Sequence, residues 1–170
     1  TVVFADIVGF TTLSEERTPL RLVRLLDRLI GTFDRLAAEH GVEKIKTLGD
    51  AWRGVAGAPQ RQDDHARRAA EFALAAMQVI EGLNEETGER LKLRIGIASG
   101  GAVAGVIGRD KFAYDLWGDT VNLAARMESS GLAGEIQVSE ATFRLLDDAY
   151  ELAPRCAVDV KGKGPVQTWL

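Results

Sequence analysis

The order of the patterned segments limits this chain more than any single residue does. TVVFADIV is an apolar run of strand length, and PLRLVRLLDRLIGTFDRLAAEHG carries apolar residues at helical spacing between Pro19 and a stop at Gly41. VEKIKTLGDAWRGVAG reads as two short strands about a Gly49-Asp50 turn. RQDDHARRAAEFALAAMQVIEGLN reads as a second helix with Ala66, Ala70, Ala73, Met77 and Ile80 on one face, and LKLRIGIASG as a strand. The sum is β-α-β-β-α-β, the ferredoxin-like order, within an α/β (α+β) class. C-terminal additions follow: GGAVAGVIG as a strand, WGDTVNLAARMESS as a short helix, EIQVS as a strand, EATFRLL as a helix, and a closing hairpin around VKGKGPVQTWL. No repeat or linker divides the 170 residues, so residues 1–170 are expected to form one domain.

Composition narrows the partners. A net charge of −4 argues against a nucleic-acid binder but leaves small anionic ligands open. The single cysteine, Cys156, rules out an intrachain disulfide framework and a cysteine zinc cluster, and is read as a small buried hydrophobe. A reducing, cytoplasmic setting is expected. No apolar stretch approaches the roughly 20 residues that span a bilayer, so no direct membrane contact is expected of this segment. The chain opens inside a strand-like run without an initiator Met, which predicts a piece of a longer protein carrying regulatory domains.

Certain residues fit poorly into a purely structural reading. Asp6 is an acid in an apolar strand, and a buried carboxylate is costly unless a cation or donors compensate it. In a ferredoxin-like order, the end of the first strand and the tip of the following hairpin lie close, so Asp6 and Asp50 can converge. Two converging carboxylates suit a hard divalent cation, Mg²⁺ or Mn²⁺. The alternative is that each merely serves a turn. IVGFTT behind Asp6 offers backbone N–H groups about a glycine, a usable phosphate cradle. Asn122 and Arg126 are four apart on a predicted helix and share a face suited to a sugar oxygen and a phosphate, or to nothing beyond solvent. Asp115 in FAYDLWG is a second acid among apolar neighbours, while Lys46 and the lysines of VKGKG read equally well as surface groups. His40, His65 and the three tryptophans, Trp52, Trp117 and Trp169, are read as structural.

Taken together, FADIVGFT, KIKTLGDAW, GIASG, YDLWGDTVNLAARM and VKGKG resemble, in order and spacing and over essentially the whole chain, the catalytic domain of class III nucleotidyl cyclases, of the adenylate cyclase type. The resemblance implies the class III cyclase catalytic fold. It implies two divalent ions held by Asp6, Asp50 and the carbonyl of Ile7, adenine recognition by Lys46 and Asp115, a ribose contact from Asn122 and transition-state stabilisation by Arg126. It places Lys161, with Lys163 as second candidate, at the terminal phosphates, and the backbone of Gly9, Phe10 and Thr11 along the triphosphate. The implied reaction closes ATP to 3′,5′-cyclic AMP and pyrophosphate, in a homodimer whose active sites each draw on both copies. A guanylate cyclase or an inert nucleotide-binding or dimerisation module are the alternatives. The chain departs from the family pattern at Gly101, where some relatives carry arginine, at Ala98, where histidine is common, and at Trp52-Arg53, where tyrosine and an apolar residue are usual.

Overall fold

The computed structural model describes residues 1–10, 13–14, 17–107, 113–146 and 149–170. The strands are β1 (Val2–Val8), β2 (Glu43–Leu48), β3 (Ala51–Val55), β4 (Lys92–Ala98), β5 (Val103–Ile107), β6 (Ala113–Trp117), β7 (Ile136–Ser139), β8 (Pro154–Val160) and β9 (Gly164–Trp169). The described helices are α1 (Pro19–His40), α2 (His65–Thr87), α3 (Asp119–Ser129) and α4 (Glu140–Leu146). Seven strands form one sheet in the order β2-β3-β1-β4-β7-β9-β8, of which the first four are the ferredoxin-like core. β5 and β6 pair apart from it as a two-stranded ribbon.

Local chemistry sets the boundaries of α1. Pro19 occupies the first turn, where its missing N–H is not needed, and Gly41 turns left-handed with φ 67°. The Gly41 N–H then donates to the Ala38 carbonyl at 3.3 Å, and the Val42 N–H to that of Ala37 at 2.8 Å. The second helix begins at His65, later than the apolar spacing implied, and its buried side includes Ala69, Phe72, Ala76 and Leu83 as well as Ala66, Ala70, Ala73 and Ile80. Met77 lies only at the edge of that packing.

Alternation along β1 divides the core. Val3, Ala5 and Ile7 pack with Leu29 and Phe33 of α1, with Phe72 and Ala76 of α2, and with Trp52. Val2 and Phe4 point to the other face, which α3 covers through Ala124. Asp6 follows them on that second face. β1 is thus buried on both sides and can tolerate a charge only towards its end.

α3 lies very close to the sheet because Gly96 has no side chain. A Cβ at that position would come 2.0 Å from the Glu128 nitrogen and 2.5 Å from the Ala124 oxygen, both of them backbone atoms. Gly96→Ala is expected to destabilise the fold by about 3 kcal/mol, read as a lower urea midpoint at unchanged m value. An unshifted midpoint would show that α3 can retreat without loss.

Three sequence expectations change. FAYDLWG, given no element by its pattern, contains β6, which pairs residue for residue with β5 and sets Asp115 opposite Gly105. Trp117 is 38% exposed on that ribbon, whereas Trp52 is fully buried and Trp169 stacks on Phe143. Cys156 is exposed rather than buried, since it lies on the edge strand β8.

Candidate active site

Strand register brings the two acids together. Ala5 stands opposite Trp52, so Asp6 is level with Ala51, the residue after Asp50 at the hairpin tip. Burial, and then the negative charge of Asp50, push the Asp6 carboxyl up to about 6; Glu128 and a hydrogen bond shared with Asp50 add to the rise, and Arg94 opposes it. Arg94, the partner of Asp6 across the β1–β4 ladder, donates to Asp6 Oδ2 at 3.2 Å and to Glu128 Oε1 at 2.7 Å. This acidic pair is short of positive charge, and its oxygen donors fit a hard cation. Among the described residues no cluster of three or more His, Cys, Asp or Glu could hold a metal. Further ligands would have to be backbone carbonyls, water or substrate oxygens. The Ile7 side chain is buried on the opposite face, which leaves only its main chain for such a role.

Gly9 follows β1 with φ 79°, and no described residue apart from its chain neighbours comes within 4 Å of where its Cβ would stand; its carbonyl accepts the Leu13 N–H at 3.0 Å. Phe10 is half-buried against the core. Thr11 lies outside the described residues.

Lys46 and Asp115 meet directly, Lys46 Nζ donating to Asp115 Oδ2. The other oxygen of Asp115 accepts the Leu116 N–H at 2.9 Å. Burial works to raise the Asp115 carboxyl, but the Lys46 hydrogen bond, the Leu116 N–H and the charges of Lys46 and Arg53 together hold it below the ordinary carboxylate range. The pair borders a small cavity of about 70 Å³ that Phe4, Ile45, Arg53 and Val121 also line.

A separate cleft of about 540 Å³ is lined by Asn122, Arg126, Asp159, Val160 and Lys161. Arg126 is held there by a 2.9 Å bond from Nε to the Asp159 carbonyl. Lys163 instead faces Asp119 at 3.6 Å. Neither Asp6 nor Asp50 lines this cleft. One copy of the chain therefore carries an acidic pair and a basic cleft that do not share a cavity.

The profile of the adenylate and guanylate cyclase catalytic domain matches residues 1–170, the whole chain. The chain belongs to that family. It is 46% identical over 168 residues to an adenylate cyclase of Mycobacterium tuberculosis, covering 99% of this chain and 38% of that protein. It superposes on the adenylyl cyclase CyaB from P. aeruginosa with a TM-score of 0.95 at 32% identity, covering 99% of this chain and 90% of the other. A guanylate cyclase domain, that of RhGC from Catenaria anguillulae in complex with GTP, superposes with a TM-score of 0.93 at 40% identity, covering 99% and 92%. Cyclases of both substrate classes thus share this fold closely, and overall similarity does not choose between ATP and GTP. The chain is a nucleotidyl cyclase catalytic domain with the mixed α+β fold of the class III enzymes.

Sequence reasoning about this cyclase domain overlooked Arg94 and Glu128, which bracket Asp6. The available signal was the same oddity that singled out Asp6, a charged residue within the apolar strand KLRIGIA. Among the described residues, no helix is long and apolar enough to cross a membrane.

Proposed function

We propose that this cyclase domain is an adenylate cyclase, converting ATP to 3′,5′-cyclic AMP and pyrophosphate at sites shared between two copies of the chain. The observation that carries the base assignment is the Lys46–Asp115 pair. Adenine presents an acceptor at N1 beside a donor at N6, which an ammonium and a carboxylate complement. Guanine presents an acceptor at O6 and donors at N1 and N2, and would be better served by an acidic residue at position 46.

Arg126 donates to the α-phosphoryl oxygens as negative charge grows there, so it acts on the rate more than on binding. Asn122 orients the ribose, and Lys161 at the same cleft binds the terminal phosphates. The backbone of Gly9 and Phe10 would run along the triphosphate, a role the resemblance extends to Thr11, which lies outside the described residues. Asp6, Asp50 and the Ile7 carbonyl would hold two divalent cations, Mg²⁺ or Mn²⁺, whose bound charge would lower the pKa of the 3′-hydroxyl and offset the negative charge of the leaving group. No side chain is assigned the role of general base.

Two features support shared sites. The acidic pair and the basic cleft do not share a cavity within one chain, and the β5–β6 ribbon exposes Val103, Val106 and Ile107 at 69%, 60% and 61%. A second copy covering that ribbon would complete both sites and hide the apolar surface. The 170 residues account for 38% of the mycobacterial relative, which supports a catalytic domain set in a longer protein with regulatory parts; a cytoplasmic or cytoplasm-facing setting belongs to the same reading, where ATP is at hand.

The decisive measurement is cyclic nucleotide formation from ATP or GTP with Mn²⁺ over a range of protein concentrations. ATP should be preferred by at least about tenfold in kcat/KM, with activity rising faster than linearly with protein. Preference for GTP would reject the base assignment, and no product at any concentration would favour the inert module.

A further inference from the structure

The cavity beside Lys46 and Asp115 contains a second cation that the reading above leaves idle. Lys46 stands opposite Arg53 on the β2–β3 ladder, and Arg53 opposite Phe4 on the β3–β1 ladder, so the three side chains share the face that α3 covers. The Arg53 guanidinium lies over the Phe4 ring, 4.5 Å from its centroid, and borders the same cavity as Asp115. Its Nε is buried and has no hydrogen-bond partner among the described residues. Two cations directly opposite each other on adjacent strands repel, so the arrangement needs an anion, and among the described residues Asp115 is the carboxylate lining this cavity.

We propose that Arg53 is a positioning residue for base specificity, keeping Asp115 available as the acceptor for the adenine amino group while Lys46 serves ring N1. The inference rests on the adenine reading of the Lys46–Asp115 pair. When ATP binds, Lys46 turns donor capacity from Asp115 towards the ring, and the base removes water from the carboxylate. An ionised acid left there with a weakened partner is costly. Among the described residues lining the cavity Arg53 is the remaining cation, and stacking on Phe4 holds it in place without using its donors. A base that lacks the 6-amino group still offers N1 to Lys46 but gives Asp115 no donor, so the placing of Asp115 adds nothing to its binding.

The test compares ATP with the triphosphate of unsubstituted purine riboside, in the wild type, Arg53→Met and Arg53→Lys. It is read as KM and, independently of turnover, as the rise in Tm that each nucleotide produces. Arg53→Met should raise KM for ATP about tenfold and shrink the ATP-induced rise in Tm. The purine analogue should change by less than about twofold, and Arg53→Lys should retain most of the wild-type preference. Equal losses with both nucleotides would reduce Arg53 to a scaffold or ring contact, and no loss with either would leave it without a role in binding; both results overturn the proposal. A wild type that binds the two nucleotides equally well would instead sink the adenine reading itself, before Arg53 is considered.

Discussion

Asp50→Ala and Arg126→Ala chains, each inactive alone, should recover about a quarter of wild-type activity when mixed in equal amounts and allowed to exchange. The figure follows from statistics. Random pairing makes half of the dimers mixed, and each mixed dimer has one site bearing both lesions and one bearing neither. Asp50 sits at the β2–β3 tip and Arg126 in the cleft beneath Asp159, so neither substitution reaches the other's surroundings. Both parents should remain folded, with cooperative thermal transitions near that of the wild type. Mixing that restores nothing, from two folded parents, would show that each chain completes its own site.

Asp6→Asn should lower cyclase turnover about a thousandfold or more while leaving the fold at least as stable as before. The Asp6 carboxyl is pushed up to about 6 by burial, by Asp50 and by Glu128, against the pull of Arg94. A group whose folded pKa lies above its unfolded value binds its proton more tightly in the native state. Its contribution to stability is fully present below about pH 4 and is lost as pH rises through about 6. The wild type without divalent cation should therefore lose stability between those limits, by about 1 kcal/mol after allowance for solvent screening. Asn cannot ionise, yet its oxygen can still accept from Arg94 and its amide can donate to Asp50. The variant should lack this loss and be more stable than the wild type at pH 8, as read by urea unfolding at several pH values. A variant that unfolds more readily than the wild type at pH 8 would show that the Arg94 bridge outweighs the repulsion.

These two expectations depend on different depths of information in the sequence. The core order was legible because its signals are local: Pro19 and Gly41 bracket one helix, Gly49-Asp50 marks a hairpin, and apolar spacing separates strand from helix. Asp6 and Asp50 could be paired in advance because their approach follows from strand order. β6 was not legible, since its partner is another short strand outside the main sheet and Asp115 interrupts its apolar pattern. Lys46 and Asp115 are 69 residues apart, and Asp6 and Arg94 are 88 apart. Contacts over such separations leave no trace in local periodicity. Arg53 shows the same limit: the sequence marked it as a departure, but only the cross-strand register puts it beside Lys46 and Phe4.

The tight seat of α3 on Gly96 bears on how such a domain could be governed. α3 carries Asn122 and Arg126, and through Glu128 and Arg94 it is also tied to Asp6. Backbone contact at Gly96 leaves no slack between the helix and the strand beneath it. Under the shared-site reading, each protomer is then a rocker whose acidic end belongs to one reaction centre and whose basic end belongs to the other. Rotation of one copy against its mate must open or close both centres by the same amount, so an upstream segment that twists the pair would tune them in unison.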